Sequence, residues 1–212
     1  MKKKIAIVDY GLGNLFSVKQ AFDLYNIDSV ITSNSNEIIN SNILVLPGVG
    51  SFPEAMKNLK QNNLTETLKE FAKSGKPFIG ICLGMQLMFT KSEEFGKTNG
   101  LGLIKGVVKK FESKSKTKSY PIPQIQWNKI FIEKSKNKNH FFKFINNGSY
   151  MYFVHSFYCI PKNSTNIVCT TKYAGIKYPS IVKKDNCIGI QFHPEKSGKG
   201  GLKIYHEISK LL

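Results

Sequence analysis

A cysteine framed by glycines, Gly80-Ile81-Cys82-Leu83-Gly84, follows directly on the apolar pair Phe78-Ile79 and opens a helical pattern. This is the spacing of a nucleophile elbow, with cysteine in the serine position. A strand that turns sharply into a helix strains its central residue, and flanking glycines leave room for the turn. The thiol then projects over a helix N-terminus, whose partial positive charge favours the thiolate. The amide of Leu83 becomes available to an oxyanion. The competing reading is a structural cysteine buried after a strand, so the pentapeptide gains meaning only from a matching base.

Four histidines are candidates for that base. His140 lies in a lysine-rich amphipathic stretch and His206 in the last helical pattern, both positions typical of surface or packing roles. His155 sits inside the strand-like run Phe153-Val154-His155-Ser156, where a satisfied structural histidine is the commoner outcome. His193 differs, because Gln191-Phe192-His193-Pro194-Glu195 ends a strand with His and Glu flanking a proline. Proline keeps the preceding residue extended, and extended residues two apart project to the same side. Glu195 is therefore placed to orient His193 and to stabilise its imidazolium, the third role of a nucleophile, base and orienter set.

The elements that must position these groups read as parallel βαβ units through the first half of the chain. Strands are predicted at 5–8, 29–31, 43–46 and 78–81, with helices at 14–25, 54–62, 64–74 and from Cys82 to about Lys91. The third strand halts at Pro47-Gly48-Val49-Gly50, where glycines permit close backbone approach to a ligand. In a doubly wound sheet ligands gather at the carboxyl ends of strands, so this loop and Cys82 face one site. Beyond Leu101 the pattern changes to short strands at 107–112, 122–132, 150–158, 167–172, 180–182 and 188–192, closed by a helix at 201–212. The Lys/Ser stretch 113–119 reads as a mobile loop. No internal repeat or linker is visible, so residues 1–212 read as one α/β domain.

Composition narrows the function class. A formal net charge of +17 invites a nucleic-acid-binding reading, yet every one of the 31 positive residues is lysine. Arginine is the usual choice for bidentate guanine and phosphate contacts. The lysines are spread along the whole chain, thickest at 105–118 and 129–143, which fits solvated faces better than a selected groove. No run is apolar enough to span a bilayer, and Asp9 interrupts the start before it could serve as a signal peptide, so the expectation is a cytoplasmic protein. Cys159, Cys169 and Cys187 lie in apolar strand text as small hydrophobes, and with Cys82 they show neither metal spacing nor a disulfide pattern.

With these residues in view, the sequence resembles the class I glutamine amidotransferases, and among them the glutaminase subunits of imidazole glycerol phosphate synthases. The resemblance runs nearly end to end. It is carried by Asp9-Tyr10-Gly11-Leu12-Gly13-Asn14-Leu15, Pro47-Gly48-Val49-Gly50-Ser51-Phe52 and Gly80-Ile81-Cys82-Leu83-Gly84-Met85-Gln86-Leu87. It continues through Gly100-Leu101-Gly102-Leu103-Ile104, Tyr152-Phe153-Val154-His155-Ser156 and Gln191-Phe192-His193-Pro194-Glu195-Lys196-Ser197-Gly198.

The resemblance implies a flavodoxin-like sandwich: a largely parallel central sheet, helices on both faces, and an antiparallel extension. It implies Cys82 as nucleophile, His193 as acid and base, and Glu195 as orienting carboxylate. The oxyanion hole would be formed by Leu83 and the Val49-Gly50 segment. Gly48, Gln86, Glu94, Ser156 and Phe157 would hold L-glutamine, although the family usually has tyrosine where this chain has Phe157. The resemblance implies no cofactor and no metal. It implies a (β/α)₈-barrel synthase partner that receives the ammonia, in histidine biosynthesis, with Asn14, Trp127 and Lys196 on the contact surface.

One departure stands out: the family commonly reads Ile-Pro-His-Met-Gly-Trp-Asn where this chain has Ile122-Pro123-Gln124-Ile125-Gln126-Trp127-Asn128. A paralogous subunit that supplies ammonia for amidation of a surface-glycan sugar keeps the same chemistry and is the alternative. A basic nucleic-acid-binding module is a third reading, motivated by charge alone.

Overall fold

The apolar four-residue runs become the middle of one sheet. The computed structural model describes residues 4–113, 119–133 and 145–211. In chain order it runs β1 (Ile5–Val8), α1 (Leu15–Asp23), β2 (Ser29–Thr32), α2 (Ser35–Asn40), β3 (Ile43–Leu46), α3 (Phe52–Gln61), α4 (Leu64–Lys73) and β4 (Phe78–Ile81). Next come α5 (Leu83–Leu87), β5 (Phe89–Ser92), β6 (Thr98–Asn99), β7 (Ile104–Lys110), β8 (Gln124–Lys129), β9 (Phe131–Ile132), β10 (Tyr150–His155) and β11 (Phe157–Pro161). β12 (Ile167–Tyr173), β13 (Ile176–Lys184), β14 (Cys187–Ile190) and α6 (Gly198–Ser209) complete it.

The main sheet has the order β2-β1-β3-β4-β14-β13-β12-β9. Pairing is parallel from β2 to β14 and antiparallel from β14 outward. Every residue of β1, β3, β4 and β14 is buried, as expected for parallel strands covered on both faces. The two-residue period sorts side chains into two cores. Ile5, Ile7 and Ile79 pack with Val18 and Phe22 of α1 and with Ile204 and Ile208 of α6. Ala6, Val8 and Leu44 pack with Leu59 of α3 and with Leu68 and Phe71 of α4. The expected sandwich with an antiparallel extension is the observed fold.

Three local expectations differ from the structure. The helix after Cys82 ends at Leu87 rather than near Lys91, because Phe89–Ser92 pairs with β7 and β6 instead. Tertiary pairing of an aromatic and β-branched segment overrides its helical period. The strand text 150–158 is broken at Ser156, which sends β10 to β8 and β11 to β7. The six-residue helix α2 has no apolar period in the sequence because Ile38 is its single buried residue, and its start is fixed by the Asn34 side chain accepting from Asn36 N and Glu37 N. His140, the presumed loop at 114–118 and the lysine stretch 134–143 lie outside the described residues. Among the described residues, no helix is long and apolar enough to cross a membrane.

Candidate active site

β4 delivers Cys82 to the sheet's carboxyl edge and stops there. Cys82 takes φ 54° and ψ −109°, a backbone state that non-glycine residues rarely hold. Two hydrogen bonds lock it: Cys82 N donates to Ile190 O at 2.7 Å, and Gln86 N donates to Cys82 O at 3.2 Å. The flanking glycines are required by contact. A Cβ on Gly80 would stand 2.7 Å from the Gly84 carbonyl, and one on Gly84 would overlap the Leu46 carbonyl oxygen. Leu83 is the first residue of α5, so its N–H has no acceptor within the helix and stays available to a ligand. With only five helical residues behind it, that N–H group matters more than any macrodipole.

His193 arrives from the neighbouring strand, since β14 pairs with β4 and Ile190 lies opposite Ile81. Its backbone is extended, with φ −99° and ψ 97°, and Pro194 opens the short 3₁₀ turn that carries Glu195. Histidine Nδ1 lies 2.8 Å from Glu195 Oε1, with both side chains nearly inaccessible to solvent. The histidine backbone is held as well: His193 N donates to Tyr152 O at 2.9 Å, and Ser197 Oγ donates to His193 O at 2.6 Å. Nε2 is buried with no hydrogen-bond partner in the protein. Burial disfavours the imidazolium, but the charge on Cys82 and on Glu195 outweighs it and raises the His193 pKa to about 10. Cys82 and Glu195 thus act together on His193, both favouring its imidazolium against burial.

A cavity of about 280 Å³ opens over the thiol. Of the residues singled out in the sequence, Val49, Gly50, Cys82, Leu83, Gln86, Glu94, Ser156, Phe157 and His193 line it together. Gly48 stands just before this lining, where a Cβ would lie 2.5 Å from the Tyr10 hydroxyl and 2.9 Å from Leu83 Cβ. Glu94 Oε2 accepts from Phe52 N at 2.8 Å; burial raises its pKa, opposed by that hydrogen bond and by Lys110. Gln86 Nε2 donates to Phe157 O at 3.1 Å and to Gln191 Oε1 at 3.3 Å.

Asn14, Trp127 and Lys196 lie outside the cavity lining. Asn14 is half-buried ahead of α1, and Lys196 is exposed. Trp127 packs edge-on to Tyr152, with its ring tip 3.9 Å from the Cβ position of Gly198. Of the other histidines, His206 stacks on Tyr25 and neighbours Glu207, whereas His155 lines the cavity after all.

Sequence reasoning missed four contributors. Tyr205 donates to Glu195 Oε2 at 3.1 Å from α6, ten residues along the chain. Gln191 Nε2 stands 3.8 Å from Cys82 Sγ. Pro123 and Val154 close the cavity wall. Gln191 stands two residues before His193 at the end of β14, where alternation could have found it; the packing of α6 and of the outer strands brings in the others.

The geometry suits acyl transfer from an amide to a thiol, and comparison with known proteins agrees. The family model for class-I glutamine amidotransferases matches residues 6–206. The chain belongs to this family. Glutamine amidotransferases of this class are enzymes, and two relatives are similar over nearly their whole length. The imidazole glycerol phosphate synthase subunit HisH of Caldanaerobacter subterraneus subsp. tengcongensis is 45% identical, covering 98% of each chain. That of Bacillus cytotoxicus is 44% identical, covering 94% of this chain and 91% of the relative. Among solved structures, PurLQS from Thermotoga maritima superposes with TM-score 0.74 at 16% identity, over 99% of both chains. The glutaminase domain of Trypanosoma brucei CTPS superposes with TM-score 0.61 at 16% identity, covering 98% of this chain and 94% of that one. These two likenesses speak for the fold of this amidotransferase.

Proposed function

We propose that this chain is the glutaminase subunit of an imidazole glycerol phosphate synthase, hydrolysing L-glutamine and delivering ammonia to a (β/α)₈-barrel partner in histidine biosynthesis. One observation carries the chemistry: His193 and the elbow thiol line one cavity, with Glu195 2.8 Å behind the histidine. The relatives' name and near-complete coverage support the pathway, and favour it over amidation of a surface-glycan sugar. The nucleic-acid reading has no such support.

In this reading the Cys82 thiolate attacks the side-chain amide carbon of glutamine. The oxyanion of the tetrahedral intermediate is met by Leu83 N–H and by an N–H of the Val49-Gly50 segment. His193 Nε2–H protonates the amide nitrogen, the C–N bond breaks, and ammonia leaves a glutamyl thioester on Cys82. Neutral His193 then takes a proton from water, whose oxygen attacks the thioester carbon. Collapse of that second intermediate releases glutamate and restores the thiolate and imidazolium pair. Glu195 holds Nδ1 throughout. Glu94 suits the substrate's α-ammonium, and Gln86 with the Ser156-Phe157 backbone and Gly48 completes the glutamine pocket.

The partner surface is the outer two-stranded sheet together with Asn14 and Lys196. Ile125, Trp127 and Tyr150 are 58%, 49% and 56% exposed there, large apolar side chains that a docked barrel would cover. Ammonia released in the cavity would pass to that partner rather than to solvent.

Glutamate release from glutamine tests the reading, measured for the chain alone and mixed with the histidine-pathway barrel from the same source. Near-silence alone and strong activation by that barrel are expected. In the complex, Cys82→Ser should abolish turnover from glutamine and spare turnover from free ammonium, because the synthase site lies in the partner. Strong activity of the pure chain, or activation only by a barrel serving glycan assembly, would overturn the pathway; glutamine use by Cys82→Ser would overturn the chemistry.

A further inference from the structure

Behind the cavity wall the Tyr178 hydroxyl, fully buried, stands among the side chains of Gln124, His155 and Thr171. It lies 2.9 Å from Gln124 Oε1 and 3.3 Å from His155 Nε2, and has one hydrogen to give. On its other ring nitrogen, His155 Nδ1 is 2.8 Å from Phe157 O. A carbonyl oxygen offers only lone pairs, so Nδ1 carries the hydrogen. Burial keeps His155 neutral, lowering its pKa to about 4 against the Phe157 hydrogen bond and with help from the charge on His193. A neutral imidazole has one N–H, so Nε2 is an acceptor and takes the Tyr178 hydrogen.

The Tyr178 oxygen then needs no further acceptor and can itself accept. Gln124 is fully buried, and with Oε1 turned to Tyr178 its Nε2 is a donor without a partner. A half-turn of the amide exchanges atoms of nearly equal size and presents Nε2 to Tyr178. Gln124 Nε2, the Tyr178 hydroxyl and His155 Nδ1 then each pass one hydrogen to the next group along. Phe111, whose ring centroid lies 5.4 Å from His155 and 5.2 Å from Tyr178, keeps the pair packed on another side.

The chain ends at the glutamine pocket. Phe157 O also accepts from Gln86 Nε2, and both residues line the cavity. We propose that Gln124, Tyr178 and His155 are positioning residues: hydrogen bonds running one way, Gln124 to Tyr178 to His155, hold the ring whose Nδ1–H pins the Phe157 carbonyl and so sets Gln86 for substrate. The inference rests on the reading of this cavity as a glutamine site. It also gives Gln124, where this chain departs from its family, a donor's role that a histidine in the same place could fill.

Two measurements test it. Nitrogen-15 NMR of the histidine-labelled full chain at pH 7 should show His155 with Nδ1 protonated and Nε2 bare. In Tyr178→Phe the Nδ1–H form should persist, because the Phe157 carbonyl still requires it, while the Nε2 resonance should shift as it loses its hydrogen bond. This readout needs neither partner nor activity, so it stands or falls apart from the proposed function. In the activated complex, Tyr178→Phe and Gln124→Leu should each raise the KM for glutamine roughly five- to tenfold with kcat within about twofold, the scale of one lost buried hydrogen bond. Gln124→His should restore the KM. A hydrogen on His155 Nε2 in the wild-type chain, or an unchanged KM in both variants, overturns the proposal.

Discussion

Tyr205 donates its hydroxyl hydrogen to Glu195 Oε2, while Oε1 of the same carboxylate faces His193 Nδ1. The carboxylate is therefore gripped at both oxygens, by a histidine on its own turn and by a tyrosine from α6. Tyr205→Phe keeps the ring that packs edge-on to Phe22 and removes only the hydroxyl. Losing one hydrogen bond to a buried charge costs about 1.5–3 kcal/mol. Part of that loss reaches the rate, through a carboxylate free to swing. Glutamate release by the activated complex should fall roughly five- to fiftyfold, with the circular-dichroism spectrum unchanged. A wild-type rate would remove Tyr205 from the site.

The four cysteines divide sharply by setting. Burial pushes the Cys159 thiol well above its usual range, Cys169 up to about 12 and Cys187 up to about 11, with Glu133 adding to the Cys169 shift. Cys82 lines the cavity of the candidate site, whereas Cys187 borders a separate groove with its thiol held in the protonated form by burial. Iodoacetamide at pH 7 should modify Cys82 alone, read by peptide mass spectrometry, and His193→Asn should slow that modification by removing the neighbouring imidazolium. Comparable labelling of Cys159 would contradict the burial seen here.

Folded His193 holds its proton up to about pH 10, whereas an unfolded imidazole loses it near 6.5. Its folded pKa is raised, so the stability it contributes is complete below about pH 6.5 and is lost as pH rises through 10. His155 has the opposite sign: its pKa is lowered to about 4, so stability falls as pH drops from about 6.5 toward 4. Urea midpoints should therefore decline on both flanks. Cys82→Ala removes the leading favourable charge on His193 and should flatten the alkaline decline while leaving the acid one in place. An alkaline flank unchanged by Cys82→Ala would show that the pair is not coupled.

Gly84 is packed directly under the Leu46 carbonyl. Gly84→Ala must push β3 away from the elbow or bend the first turn of α5, since the obstacle is backbone. Overpacking of this kind costs about 1–3 kcal/mol or more. Thermal unfolding should shift down by several degrees, and glutaminase activity should fall further than stability does. Gly200→Ala, where a Cβ would meet nothing within 4 Å, is the matched control and should leave both near wild type.

The sequence made the elbow and the His193-Pro194-Glu195 turn legible because both depend on local backbone rules: glycines that admit a sharp turn, and a proline that keeps its predecessor extended. The four parallel core strands were legible as short apolar runs for a similar reason, each being buried on both faces. Tyr205 was not, because its role comes from a side chain of α6 meeting Glu195 across two elements. His155 shows the limit most clearly. Read as a strand histidine satisfied by its neighbours, it is that, bonded to Phe157 O and Tyr178, yet it also faces the cavity. The short helix α5 was overrun in the reading because nothing in Phe89-Thr90-Lys91-Ser92 announces its pairing with residues of β7.

The Cys82 amide bonds to Ile190 O, on the strand that also presents His193. This lateral contact ties the order of synthesis to the order of activation. While the chain is being made, Cys82 emerges long before β14 exists, at the open edge of an unfinished sheet. The nascent chain then carries Cys82 without His193, and the elbow lacks the hydrogen bond that fixes its amide. Glutamine in the cell is therefore safe from a partly built chain, and premature thiol chemistry is limited to oxidation or alkylation of an exposed cysteine. Closure of the last parallel strand both completes the sheet and brings His193 to Cys82, so a partner meets the two already joined.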